Sequence, residues 1–220
     1  MTGLSFDVSH LLAGGLVLIS FMLLYQTRLY SLIHVYAAQA FVLSLSVAWQ
    51  AYVQAAPHLY VTASIALLFK TVIIPIALHR MIAKLGIERD VENVVGIGPT
   101  MLGGLALVAL SVVVMLRIAN DADALAREDL AFALSVVLLG MLMMVVRRNA
   151  VSMVVGFMSL ENGLILAAVG VEGMPLVVEL SVAVLVLVAF VVFGVFFRRL
   201  RAQFHSLDTA HLDRVGSAHR

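Results

Sequence analysis

Residues 151–197 read VSMVVGFMSLENGLILAAVGV, then Glu172-Gly173-Met174-Pro175, then LVVELSVAVLVLVAFVVFGVFF, with Arg198, Arg199 and Arg201 directly after. On each side of the connection the chain stays apolar for about 20 residues, the length at which an α-helix crosses a bilayer. The stretch is a transmembrane hairpin, and two acids interrupt it, Glu161 and Glu179. A charged group at the centre of a membrane helix costs roughly 2.5–3.5 kcal/mol on insertion scales, so such residues face a partner, a cavity or a proton path.

The rest of the chain has the same character. Of 220 residues, 63% are hydrophobic and 12% charged, and the mean hydropathy is +1.08. Soluble domains carry about 25% charged residues, so this is an integral membrane protein. The first apolar run has no basic region before it and at least six more such runs follow, which reads as an inserted chain and not as a cleaved signal. The expected fold class is all-α: a polytopic membrane protein with seven transmembrane helices, at 8–25, 30–54, 58–79, 96–118, 129–146, 151–171 and 174–197.

Basic residues fix the expected orientation, because Lys and Arg accumulate in cytoplasmic loops. One set of alternate loops holds Arg28, Arg80, Lys84, Arg89, Arg147, Arg148 and the tail residues Arg198, Arg199, Arg201, Arg214 and Arg220; the other holds only Arg117 and Arg127. With Lys70 inside the third helix, that accounts for all fourteen basic residues. The N-terminus is expected outside and the C-terminus inside. The mixed-charge loop 80–92 reads as a solvated face, and the polar tail 201–220, with Phe204, Leu207, Leu212 and Val215, as a segment that docks on a partner.

The third helix carries the other buried charge. In ALLFKTVIIPIALHR, Lys70 lies about nine residues, or ~13 Å, from the nearer end, too deep for an easy escape to the headgroups. Pro75 follows five residues later; having no N–H, it releases the carbonyl of Thr71 four residues back in an α-helix. Helix 2 adds His34, Tyr36, Gln39 and Gln50, with His34 and Gln50 near its ends. Glycines at Gly14, Gly15, Gly96, Gly98, Gly103 and Gly104 are expected to serve close helix packing.

The ionisable groups within the membrane are therefore Lys70, Glu161 and Glu179. Measured from the 172–175 turn, Glu161 is ~15 Å deep and Glu179 ~8 Å, about two helical turns apart. That separation suits transfer through bridging water and not direct contact. Burial and a neighbouring cation act in opposite senses on the proton affinity of an acid, which lets such a group exchange protons near neutral pH. Asn162 is about 100° round the helix from Glu161 and joins it only if another helix reaches it.

Several classes of function are excluded for this chain alone. Cysteine is absent, so neither an iron–sulfur cluster nor a nickel–iron centre is held here by thiolates. There is no His pair at i, i+4, no phosphate loop, no Gly-x-Ser-x-Gly elbow and no nucleic-acid signature. Three readings remain: a proton-conducting subunit, a spacer whose polar residues pair across interfaces, and a stand-alone proton-coupled carrier.

Four segments, KTVIIP (70–75), RRNAVSMVVGFMSLENG (147–163), GMPLVVE (173–179) and FHSLDTAHL (204–212), together resemble the hydrogenase-4 component E family. That family comprises membrane subunits of group 4 energy-converting hydrogenase and formate hydrogenlyase complexes. Over its last three helices it is similar to subunit K of respiratory complex I and to the small C-type subunit of multi-subunit cation/proton antiporters. The resemblance implies three parts: a four-helix membrane part at 1–118, a subunit-K-like part at 119–200 and a cytoplasmic tail at 201–220. It implies that Glu161 and Glu179 occupy the two glutamate positions of a central hydrophilic axis. Lys70 and the helix break at Pro75 follow the component E pattern alone, because helices 1–4 have no counterpart in subunit K. The implied partners are antiporter-like membrane subunits, a complex I anchor-type membrane subunit and a soluble hydrogenase arm, all at a bacterial inner membrane. The nickel–iron centre and iron–sulfur clusters would belong to those partners, with no cofactor bound by this chain.

Overall fold

The computed structural model describes residues 3–85, 95–118 and 124–170. The expected seventh helix at 174–197, Glu179 within it, and the tail lie outside the described residues. The described elements are helical: α1 (Gly3–Tyr25), α2 (Leu29–Val53), α3 (Pro57–Ile65), a π-helical segment (Ala66–Ile73), α4 (Ile74–Leu85), α5 (Ile97–Ile118), α6 (Ala124–Val146) and α7 (Ala150–Val169). Six spans among them are long and apolar enough to cross a membrane, with α3, the π segment and α4 forming one continuous span. These six coincide with the first six helices expected from hydropathy, and they mark the chain as a multi-pass membrane protein.

Local chemistry sets the boundaries. Pro57 occupies the first turn of α3, where its missing N–H costs nothing. The turn before it passes through Ala55 at φ 50°, a left-handed conformation that crowds a β-carbon. At the start of α7 the Asn149 side chain accepts a hydrogen bond from the Val151 N–H at 2.9 Å, capping one of the donors a helix start leaves free. Arg147, 3% exposed, answers the opposite need. Its Nη2 donates to the carbonyls of Leu23 (3.1 Å) and Leu24 (2.8 Å), so a cation closes the C-terminal end of α1, where carbonyls and the helix dipole are negative.

α1, α3, the π segment, α4 and α7 pack against α2, and α6 joins through α1 and α7 with α5 outside it. Fully buried Leu16, Leu23 and Leu24 of α1, Tyr36 and Leu43 of α2, Leu139 and Met143 of α6, and Met158 of α7 fill the centre. The tightest pair is α6 with α7, where the backbones meet. A β-carbon on Gly140 would lie 2.5 Å from the Leu160 backbone nitrogen, and one on Gly163 2.8 Å from that of Val137. Lipid supplies no hydrophobic drive between apolar helices, so this approach gains its stability from van der Waals contact that only small residues permit. Of the six glycines expected to serve packing, Gly104 does so, against Phe21 and Leu139, whereas Gly14 and Gly98 face open space. A glycine packs closely only when its face meets another helix, and the neighbours of α1 and α5 leave those two positions free. α5 keeps Leu102, Leu105 and Leu116 exposed, the pattern of a helix apolar all round in lipid.

Candidate functional site

Lys70 lies in the π segment. There the Ile74 N–H bonds to the Phe69 carbonyl, five residues back. In this register the donor missing at Pro75 is the one that would have met the carbonyl of Lys70, not that of Thr71 as the α-helical count gives. A π turn inserts an extra residue, which changes the direction of the side chains around it, and such turns recur at functional sites. Here it accompanies a lysine aimed into the protein: Lys70 is 6% exposed although Leu67, Phe69 and Val72 beside it face outward.

The lysine finds its counter-charge on α7. Lys70 Nζ lies 3.0 Å from Glu161 Oε1 and donates a 2.9 Å hydrogen bond to Asn162 Oδ1. Asn162 is thus part of the charged site, because the π segment reaches the face of α7 between the two residues. Asn162 Nδ2 in turn donates to Gln39 Oε1 at 3.3 Å. Gln39 Nε2 donates to Ser20 Oγ at 2.8 Å and to Ser159 Oγ at 2.9 Å, and Ser20 Oγ donates to the Leu16 carbonyl at 2.8 Å. The result is one polar network through α1, α2, the π segment and α7. Its side chains are nearly sealed, with Gln39 and Asn162 at 0% and Glu161 at 4% exposure.

The network is satisfied on one side and open on the other. Every polar atom of Gln39 and Asn162 named above has a partner, whereas Glu161 Oε2 and the hydroxyls of Tyr36 and Thr71 form no hydrogen bond among the described residues. Tyr36 stands within electrostatic reach of Glu161. A buried carboxylate with one oxygen on a lysine and one uncommitted can take a proton there, leaving the lysine on Asn162. Among the described residues no group of three or more His, Asp or Glu side chains is placed to hold a metal.

Of the sequence-derived site residues, Lys70 and Glu161 are in contact, Pro75 follows the π segment that carries Lys70, and Glu179 lies outside the described residues. The sequence reading named Gln39 among the polar residues of helix 2 without giving it a role, and did not single out Ser20 or Ser159. Their signal was present as spacing: Ser159 and Asn162 are three apart on α7, and Gln39 repeats with Ser46 and Gln50 on one face of α2.

No family model matches the chain, and no solved structure matches it. Among curated proteins, Uncharacterized protein Rv0085 of Mycobacterium tuberculosis is 29% identical over 201 residues, covering 89% of this chain and 90% of the relative. The two are similar along nearly their whole lengths.

Proposed function

We propose that this chain is a non-catalytic membrane subunit of a group 4 hydrogenase-type, complex-I-like oxidoreductase, contributing Lys70, Glu161 and Glu179 to proton translocation coupled to electron transfer. The observation that carries the reading is the buried Lys70–Glu161 pair, with a second carboxylate oxygen uncommitted, beside a π turn. An intramembrane ion pair is expensive to build and most often serves an ion or proton path. The reading places the N-terminus outside, a seventh helix at 174–197, and the chain in a bacterial inner membrane. Its partners are antiporter-like membrane subunits, an anchor-type membrane subunit and a soluble hydrogenase arm that holds the nickel–iron and iron–sulfur centres. In native membranes, Glu161→Gln is expected to abolish proton translocation while the soluble arm keeps its activity with an artificial acceptor. Full coupling in that variant rules the relay out.

A second reading is favoured by the glycine-mediated approach of α6 and α7 and by the satisfied Gln39–Asn162 side of the network: the polar groups are static glue in a spacer subunit. In that case neutralising Glu161 leaves pumping intact and loosens the complex on a native gel.

A further inference from the structure

A second polar group occupies the end of the bundle opposite the Arg147 cap. His10 Nε2 of α1 lies 2.8 Å from Glu128 Oε2 of α6, and His10 Nδ1 lies 3.8 Å from Asp129 Oδ1. The Glu128 side chain is 63% exposed, those of His10 and Asp129 20% and 22%, so the first faces outward, while Asp129 lines a crevice and His10 stands against it. The crevice, of about 10 Å³, room for about one water, lies between α1, α2, α6 and α7, lined by Ser9, Ala13, Ser46, Gln50, Asp129 and Leu166 among others. Hydrogen bonds hold its walls together: Gln50 donates to Ser9 Oγ at 3.4 Å, and Gln54 to the Val169 carbonyl at 2.9 Å.

The crevice points toward the Lys70–Glu161 network. Gln39, Ser46 and Gln50 share one face of α2, and the step from Gln39 to Ser46 is seven residues, ~10 Å along the axis. On α7, Leu166 in the crevice lining is one turn, ~6 Å, from Asn162. Between the two polar zones stands a single apolar layer. The contacts Ser20–Gln39 and Ser9–Gln50 fix the antiparallel register of α1 on α2 and set Leu16 opposite Leu43, both of them fully buried. Helix packing alone does not call for serine, glutamine, histidine and aspartate along a buried seam, because polar groups there must be hydrated or bonded.

We propose that this crevice is the proton port of Glu161, with His10 and Asp129 receiving the proton at its mouth and the Leu16–Leu43 layer closing its inner end. The proposal rests on the reading of Glu161 as a proton carrier and adds the route. A hydronium ion at the mouth gives its proton to His10 or to the Asp129 carboxylate. The one water that the crevice has room for carries it past Ser46. When the leucine layer admits a water chain, the proton binds a Glu161 carboxylate oxygen; the carboxylate becomes a carboxylic acid, and Lys70 keeps its bond to Asn162. Among the described residues, the charged and titratable groups facing these stations include Glu128 and Asp129 around His10, and Lys70 and Tyr36 around Glu161.

The natural absence of cysteine makes the test direct. In the full chain in lipid vesicles, Ser46→Cys, 4% exposed beside a water-sized crevice, is expected to react with Ag⁺, a thiol reagent close to water in size, and Ser159→Cys, beyond the layer, at least about tenfold more slowly, a barrier difference of about 1.4 kcal/mol. Proton exchange at Glu161, followed through the carboxylic-acid infrared band that appears when a drop in pH protonates it and assigned by loss of that band in Glu161→Gln, reads the route itself. His10→Ala with Asp129→Asn is expected to slow exchange about tenfold, and Leu43→Ser to speed it by a similar factor. An unreactive Ser46→Cys, or exchange at the same rate in all the port variants, overturns the port while leaving Glu161 a proton carrier. A Glu161 carboxyl that exchanges in no variant overturns the carrier reading and the port with it.

Discussion

Lys70 and Glu161 meet at 3.0 Å with side chains 8% and 5% exposed, one from the π segment of the third span and one from the middle of α7. Two charges enter the apolar interior as a neutral couple, and each makes the other tolerable. Taken singly, either would be a bare ion in a medium that solvates it poorly. The pair therefore ties the third span to α7 more strongly than its few atoms suggest.

Removing one member should be far worse than removing both. Lys70→Met leaves Glu161 uncompensated and is expected to destabilise the protein by about 3–5 kcal/mol, whereas Lys70→Met with Glu161→Gln recovers most of the loss. Unfolding in mixed micelles, followed through the single tryptophan, Trp49, checks this. Equal losses in the single and double variants contradict a paired role.

Gly140 makes a second prediction, through volume. A methyl group there would sit 2.5 Å from the Leu160 nitrogen and 2.8 Å from its Cα, both backbone atoms that no rotamer change can move. Gly140→Ala must push α6 and α7 apart, at an expected cost of about 1–3 kcal/mol, typical of overpacking. Gly14→Ala meets nothing within 4 Å and should be neutral or stabilising by up to about 1 kcal/mol from helix propensity. The difference between these two unfolding midpoints is the test.

Gln39 is the hub of the neutral part of the network, bonded to Ser20, Ser159 and Asn162. Gln39→Leu keeps the volume and leaves the Asn162 amide without its acceptor. The expected loss is about 1–3 kcal/mol, the cost of stranding a buried polar group. Gln39→Glu should be worse, since it buries a second carboxylate in a network where Lys70 is the one cation among the described residues. Unfolding measurements on the two variants rank them, and a Glu variant more stable than the Leu variant contradicts the arrangement.

The six described spans were legible, because length and hydropathy fix a membrane span almost alone. Lys70 and Glu161 were legible for the same reason: a charge inside an apolar run stands out without any knowledge of neighbours. Their contact was not, since it depends on which faces of two helices far apart in sequence meet. Asn162 illustrates the limit, being 100° from Glu161 on α7 and yet bound to the same lysine, because Lys70 arrives between them. Gly140, Gly156 and Gly163 were passed over in favour of Gly14 and Gly98 because composition marks small residues but not the partner helix that makes them necessary. His10 and Asp129 carry no signal in the sequence, because polar groups are common near helix ends; only the bundle brings α1 and α6 side by side.

Pro75 supplies the last prediction, which concerns how Lys70 is aimed. With no N–H at position 75, the chain cannot complete the bond to the Lys70 carbonyl in π register, nor the one to Thr71 in α register, so the wide turn loses little by persisting. Pro75→Ala restores a donor. The α register then becomes the better-bonded arrangement, and removal of an interior proline favours it by up to about 3 kcal/mol. Closing the wide turn by one residue rotates the segment before it by about 100° relative to α4 and swings Lys70 off the face that meets α7. A double-mutant cycle between Lys70 and Glu161, measured in the Pro75→Ala background, is expected to show their coupling fall to the ~1 kcal/mol or less of a solvent-screened pair. Coupling that stays at its full value shows that Lys70 is held by its partners on α7 and not by the proline, and then the π turn is a consequence of the ion pair instead of its cause.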